Sequence, residues 1–424
     1  MTSSDHGTPV DVTLVGGGMI CHDQLLPSLY HLQRLGLVRD LTVCSRTAGT
    51  VRALAEAEGI HAAFPGHSFQ AVPDYTRNAD AKDPDGYREV IDRMEPRQVV
   101  FLATPDALHY DMARYALQAN QHVLCVKPLV QTCQHAVEIE QLAREKGLFV
   151  GIEYHKRFDR RALLARHEYR NGRYGEFRMG EARMIESWYY RHSNFQNWFT
   201  CDAYDAFTYV GCHYVDQVIF ITGLRPVNVS VIGIKGTFPN GNEGFLWATG
   251  RVIFENGGVL NVIDGLGYPD DGAGTNDQGI TLFCDDGKRG AVIKHNDQFR
   301  GVEYCFVKPA RDEALFRYVN PDYLKLVPWM GDGLKPVGYG YESVEALVQA
   351  AVRVNRAGGD EDSEAALSGR QAALEAIDAK GLIATPANSW MNELVTEAAR
   401  HSVLNGGVAV DIQYEPQPRV CVPS

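Results

Sequence analysis

Val10-Asp11-Val12-Thr13-Leu14-Val15-Gly16-Gly17-Gly18-Met19-Ile20 is the stretch that decides the fold class of this 424-residue chain. A short apolar run of buried-strand type breaks into three glycines, and apolar residues at helical spacing follow over 24–35 and stop at Gly36. A strand, tight turn and helix in this order bring bare backbone close to a ligand and aim the unpaired N–H groups of the helix at an anion. Gly16, Gly18, Met19 and Ile20 are therefore candidate contacts for a dinucleotide pyrophosphate. Read as G-x-G-x-x-G from Gly16, the pattern carries Cys21 where a third glycine is usual, so a glycine-rich turn without a ligand stays open.

Outward from this turn, 41–44 reads as a second strand and 51–57 as a helix ending at Gly59. The stretch 64–96 is irregular, with one helix near 87–94. Strand 99–103, helix 107–119, strand 122–125, helix 132–146 and strand 148–152 complete an alternation that implies a Rossmann-type, doubly wound parallel sheet over residues 1–155. Over 156–424 the pattern changes. Helices near 160–171 and 203–222, with strands at 177–184, 227–234, 245–254, 258–263, 279–284 and 290–293, read as an α+β domain with a mainly antiparallel sheet. Helices return at 343–354, 368–379 and 390–401, where they can pack back on the first domain, before a polar, proline-bearing tail.

The length exceeds what one hydrophobic core usually organises. A formal charge of -12 disfavours nucleic acid or an anionic membrane as partner, and a small neutral substrate fits better. The N-terminal residues lack the basic start and apolar run of a signal peptide, and no later segment has membrane-spanning length, so a cytoplasmic location is expected. Nine scattered cysteines, never spaced C-x-x-C, indicate neither a disulfide framework nor a thiolate zinc site.

Three strand ends carry candidate chemistry. Ser45-Arg46 stands where an acidic residue usually binds an adenosine ribose; the pair removes a charge that repels a 2′-phosphate and supplies one that attracts it. Arg46 can equally lie flat on the adenine of either NAD or NADP. Ala103-Thr104-Pro105-Asp106 ends the next apolar strand at the sheet edge where ligands sit, with His109 following; a helix-capping Asp106 and a packing His109 are the plain alternatives. Lys127, at the end of an apolar strand and locked by Pro128, would be desolvated there unless it holds a substrate hydroxyl and stabilises a developing alkoxide. The alternative is a surface lysine at a strand end.

The glycine turn, ATPDALHYDMARYALQANQHVLCVKPL and GIEYHKRFD resemble, in order and spacing, the Gfo/Idh/MocA oxidoreductase family, whose usual forms read A-T-P-N, E-K-P and R-F. The resemblance is dense over the first 160 residues and looser through GCHYVDQVIFITG. It implies that Lys127 binds the substrate hydroxyl beside a nicotinamide and that His213 is the acid/base. Two departures stand out. Val126 replaces the glutamate of E-K-P, and Tyr209 replaces an aspartate often found four residues before the histidine. At i and i+4 Tyr209 and His213 would share a helix face, with Asp216 near it. Either Tyr209 takes the hydrogen-bonding role, or Asp216 orients the His213 imidazole; packing and surface roles remain the alternatives. A metal on His213 and Asp216 would lack a third ligand, so none is expected.

Family members place substrate contacts after the last strand of the first domain, which singles out Tyr154, His155 and Arg157. Asn194 and Trp198, in a run of aromatic rings and amides, suit sugar rings, and Asn276 lies in a polar loop that could also be a solvated hairpin. FTYVGCHYVDQVIFITG with TNDQGITLF resembles the branch that oxidises the 3-hydroxyl of glycosides, including C-glycosides, with a tightly held dinucleotide. The expectation is thus an oxidoreductase of a sugar or glycoside, associating as a homo-oligomer through the sheet of its second domain. An NAD-dependent glycosidase acting through 3-oxidation and elimination, and a dinucleotide-sensing protein without chemistry, are the alternatives.

Overall fold

The computed structural model describes residues 8–76, 78, 80–271, 276–296, 322–359 and 361–422. The first domain is a six-stranded parallel sheet of β1 (Val10–Val15), β2 (Val38–Cys44), β3 (Gln70–Val72), β4 (Val99–Leu102), β5 (His122–Val126) and β6 (Val150–Glu153), in the order β3-β2-β1-β4-β5-β6. Every residue of β4 is fully buried. Helices cover both faces of the sheet, which is why the run Val99-Val100-Phe101-Leu102 shows no alternation. The strand order reverses between β1 and β4, where Val12 to Val15 pair with Val99 to Leu102. This reversal opens a crevice at the carboxyl ends of the strands. Local caps fix the helices between them: Thr132 accepts from the His135 N–H at 3.3 Å, and Gly147, at φ 63°, ends the same helix, Cys133–Lys146.

The second domain holds an eight-stranded sheet built from β7 (Phe177–Ser187), β8 (Pro226–Thr237), β9 (Glu243–Phe254), β10 (Val259–Tyr268), β11 (Asp277–Asp285) and β12 (Gly290–Asn296), with a separate hairpin of β13 (Lys325–Pro328) and β14 (Leu334–Val337). Its order is β12-β11-β7-β10-β9-β8-β15-β16, where β15 is Val410–Gln413 and β16 is Arg419–Cys421. All neighbours are antiparallel except β7 and β10. One face packs on helices Cys212–Thr222 and Pro386–Leu404 through Val215, Ile219, Leu394 and Ala398. The other face leaves Met179, Ile232, Ile234, Ile263, Phe283 and Val292 exposed.

The N-terminal parallel sheet and the mainly antiparallel second sheet are as the sequence pattern implied. The differences are local. β3 lies inside the stretch read as irregular; at three residues it is too short to show a period. The proline-bearing tail supplies two more strands of the second sheet, β15 beside β8 and β16 at the edge. Helix Tyr339–Gly358 packs on the first sheet, with Val344, Leu347 and Val348 in one core with Leu14, Phe101 and Phe149. No helix among the described residues is long and apolar enough to cross a membrane.

Candidate active site

The glycine turn is held by its backbone. Gly16 has φ +119°, and a Cβ there would stand 2.3 Å from the Ala103 carbonyl oxygen, so β1 and β4 close on each other only because this residue has no side chain. A Cβ at Gly17 would meet Thr50 at 2.8 Å and the Ser45 hydroxyl at 3.4 Å. At Gly18 the same construction meets nothing within 4 Å. The turn is therefore closed behind and open in front, the shape a pyrophosphate needs, and the residues present fit a dinucleotide. Cys21 fits in place of the third glycine: it is fully buried, donates its thiol to the Gly16 carbonyl at 3.1 Å, and burial pushes its pKa up to about 12. Met19 packs against an aromatic cluster of the second domain, Ile20 against the first core. Ser45 is half-buried at the end of β2, and Arg46 is exposed beside it.

Behind the next two strand ends His109 acts as a strut. Its imidazole is buried, with one nitrogen 2.7 Å from the Thr104 carbonyl oxygen and the other 3.0 Å from that of Pro128. It thereby ties the Ala103-Thr104-Pro105 turn to the turn after β5. Thr104 and Pro105 are half-buried at the sheet edge. Lys127, next to the half-buried Val126, reaches out of the first domain: its ammonium donates to the Tyr209 carbonyl and lies 4.4 Å from the centre of the Tyr209 ring.

Tyr209 belongs to a π-helical turn, Phe207–Gly211, that leads into helix Cys212–Thr222. The wide turn inserts backbone between Tyr209 and His213, so the simple i, i+4 relation does not hold. The Tyr209 ring joins Phe195, Trp198 and Phe199 at 5.1, 5.5 and 5.8 Å between ring centres. The same ring also meets the Lys127 ammonium.

His213 is buried, and its Nδ1 has no hydrogen-bond partner among the described residues. Burial, followed by the nearby Lys127, His155 and Lys156, holds its pKa well below the ordinary 6.5. The imidazole is thus a free base at neutral pH. The His155 ring lies 4.7 Å from it, tilted by 47°. His155 Nδ1 is 2.9 Å from Glu153 Oε2, while Glu153 Oε1 accepts from Gln24 at 2.9 Å and Ser343 at 2.6 Å. Gln24 was not among the sequence candidates, and Glu153 stood in the run 153–158 without being singled out; the partners that join them to each other and to Ser343 lie more than a hundred residues away.

Asp216 does not orient His213. Its carboxylate accepts from Arg157 Nε at 2.8 Å and Nη2 at 2.5 Å, and from Asn392 at 2.7 Å. Arg157 also donates to Asn388 at 2.9 Å, and both members of the pair are buried. An ion pair this dry and saturated is spent on structure, here joining the segment after β6 to helices Cys212–Thr222 and Pro386–Leu404. Arg157 is accordingly not available to a substrate. Tyr154 is also fully buried, with its ring edge toward His213 at 6.2 Å. Trp198 lies in the aromatic cluster that reaches Met19 and Tyr209. Asn194 is exposed and accepts from Asn197 at 2.8 Å, away from the Lys127 and His213 pair in its recorded contacts. Asn276 is buried just before β11, whereas residues 272–275 of its loop lie outside the described residues. Lys156, in the same run as Tyr154, His155 and Arg157, is buried and donates to Gln278 at 2.8 Å over the Tyr214 ring.

Residues 10–154 match the model of the Gfo/Idh/MocA oxidoreductase family, NAD-binding Rossmann fold. The chain is 30% identical over 174 residues to the uncharacterized oxidoreductase YfiI of Bacillus subtilis, spanning only 40% of each protein. It is 26% identical over 279 residues to the D-glucoside 3-dehydrogenase of Escherichia coli, 61% of this chain and 71% of that one. In three dimensions it is similar to an inositol dehydrogenase homolog of Azotobacter vinelandii complexed with NADH and myo-inositol, with a TM-score of 0.59 at 18% identity, over 96% of this chain and 98% of that one. By these matches residues 10–154 are similar to the NAD-binding Rossmann domain of the Gfo/Idh/MocA oxidoreductase family, and the fold as a whole is shared with a solved inositol dehydrogenase homolog.

Proposed function

We propose that the protein is a nicotinamide-dependent oxidoreductase acting on a secondary hydroxyl of a sugar-like substrate, with NAD or NADP as cofactor. The observation that carries this reading is that the Lys127 ammonium, from the carboxyl edge of the parallel sheet, is held on the turn that leads to a buried His213 and acts electrostatically on that imidazole, in a chain whose glycine turn is open at Gly18. When bound, a nicotinamide ring accepts hydride from the carbon that bears the hydroxyl. The chain's part is the proton and the charge. His213, as free base, receives the hydroxyl proton, and Lys127 steadies the oxygen as negative charge builds there. The Tyr209 carbonyl and ring hold Lys127 in place, and Glu153 holds His155 against His213.

The substrate class rests on likeness: the E. coli relative is a D-glucoside 3-dehydrogenase and the A. vinelandii structure contains myo-inositol. The finer proposal is oxidation of a glycoside 3-hydroxyl to a 3-oxo product. Arg46, exposed at the end of β2, suits the adenine of either dinucleotide and adds a cation for a 2′-phosphate. The exposed row Met179, Ile232, Ile234, Ile263, Phe283 and Val292 supports association of copies through the second sheet.

Incubation with methyl β-D-glucopyranoside and with myo-inositol, followed by product analysis, tests this. An intact oxo-sugar is expected; free methanol from the glucoside would mean elimination after oxidation, and no product from either would contradict the assignment. Lys127→Met and His213→Ala should each lower turnover by about a thousandfold or more while the dinucleotide stays bound. Mass spectrometry of the released dinucleotide distinguishes NAD from NADP.

A further inference from the structure

The inward row of β10 reads Leu260, Val262, Asp264, Leu266, all buried. One carboxyl group thus stands in a line of aliphatic side chains, and neither of its oxygens has a hydrogen-bond partner among the described residues. A sheet interior gains nothing from such a residue, since a buried acceptor left unpaired costs free energy that a leucine would not.

Its position gives it a use. Asp264 packs on Gly211, the last residue of the π-helical turn; a Cβ built there would stand 2.3 Å from Asp264 Oδ2, so the glycine makes the room the carboxyl occupies. Lys127 holds the same turn two residues earlier, through the Tyr209 carbonyl. The turn that delivers His213 is therefore gripped from both domains, by the lysine from the end of β5 and by the aspartate from β10. The groups facing Asp264 are few. β7 and β9 set Met184 and Ala248 against it, Asp205 approaches from before the turn with its own charge met by Arg400 at 3.3 Å, and Cys212 follows the turn. Lys127 is the cation acting on it.

We propose that Asp264 is a positioning residue for Lys127 and for the turn bearing His213, the acidic partner that the catalytic helix lacks at Tyr209. This rests on the hydroxyl-oxidising reading above for its kinetic consequence, but not for its electrostatic one. Burial and Asp205 hold the Asp264 carboxyl in its neutral form well above the usual carboxylate range, while Lys127 opposes them. The neutral acid fills the space beneath Gly211 without adding a charge beside the lysine, and loss of its proton would pull the ammonium away from the substrate oxygen.

Two experiments test it separately. Infrared difference spectra of wild type against Asp264→Asn isolate the protonated-carboxyl band of Asp264, and its titration is followed with pH in wild-type and Lys127→Met backgrounds. The band should persist to higher pH without the lysine; identical titration in both backgrounds would overturn the coupling, whether or not any sugar is oxidised. In the second, methyl β-D-glucopyranoside and myo-inositol serve as substrates. Asp264→Ala, which empties the space beneath Gly211, should lower kcat by about tenfold or more with KM and dinucleotide affinity nearly unchanged, whereas Asp264→Asn, neutral and of the same size, should keep kcat near wild type and remove its fall at high pH. A wild-type kcat in Asp264→Ala, or an unaltered pH profile in Asp264→Asn, would overturn the positioning role. Gly211→Ala should cost thermal stability in wild type and little in Asp264→Ala; an equal cost in both would refute the packing on which the proposal stands. Failure of wild type to oxidise either sugar would count against the enzymatic reading and leave the infrared result to decide the coupling.

Discussion

Two turns lead into helices at the centre of this molecule, and they are built in opposite ways. The glycine turn after β1 is a backbone device: Gly16 is shaped by its contact with Ala103, Gly18 is open, and Cys21 closes the turn with a local hydrogen bond. The π-helical turn Phe207–Gly211 is a side-chain device, held by Lys127 and Asp264 from two sheets and followed by an imidazole whose Nδ1 is unpartnered. The first needs small residues in one short run, closed against the backbone of the neighbouring strand at Ala103. The second needs residues far apart in the chain, and it keeps buried polar groups unsatisfied, as functional sites do and stable cores do not.

The sharpest way to break this contrast is at Gly16. Gly16→Ala places a Cβ inside van der Waals distance of the Ala103 carbonyl at a backbone angle that alanine resists, and should cost about 3 kcal/mol and abolish dinucleotide binding. Thermal unfolding and a fluorescence titration with NADH check both. Gly18→Ala is its control: nothing is near, so stability should move by less than about 0.5 kcal/mol while dinucleotide affinity falls.

Asp216→Asn asks which residues belong to the second turn's chemistry. Because the Arg157 guanidinium would be left buried without its counter-charge, a loss of about 3 kcal/mol in urea unfolding is expected, with kcat of the folded protein little changed. Lost turnover at unchanged stability would return Asp216 to the catalytic role that its sequence position suggested.

A smaller effect sharpens the electrostatics. Since Lys127 helps to disfavour the His213 imidazolium, Lys127→Met should raise the pKa of His213 toward 6.5, read from the ring proton by NMR titration. A fixed value would mean that the two groups do not sense each other. A test away from both turns lies at Glu393, fully buried on helix Pro386–Leu404 and with its pKa raised by burial from 4.5 to about 8. Between those values the unfolded chain has given up a proton that the folded one keeps, so the wild type loses stability as pH rises through the window. Glu393→Gln removes that slope, and its melting temperature should gain on wild type from pH 5 to pH 8. Parallel melting curves would refute it.

How much of this was legible in the sequence follows the same division. The alternation of apolar runs and helical stretches through residue 152 specifies the first sheet, because each of its strands except β3 is long and dry enough to leave a pattern. Lys127 was legible as a cation at the end of a buried strand. The role of Asp216 was misread because helix spacing says which residues share a face and not which distant arginine claims one of them. Glu153 and Lys156 stood in the candidate run 153–158 but were ranked below their neighbours, and Asp264 escaped notice, for a related reason: each is an ordinary polar residue locally, and becomes unusual only when the fold buries it. A charged residue in the inward register of a strand, as at Asp264, is the one signal that could have been read.

The central claim is that the open glycine turn and the Lys127–His213 pair form one hydride-transfer site. Single-turnover absorbance at the reduced-nicotinamide band tests it most directly, with the oxidised dinucleotide bound and methyl β-D-glucopyranoside or myo-inositol added. The absorbance should rise in wild type with one of the two, and stay flat in His213→Ala although that variant still binds the dinucleotide. A flat trace in wild type with both sugars, or an equal rise in the variant, would contradict the account.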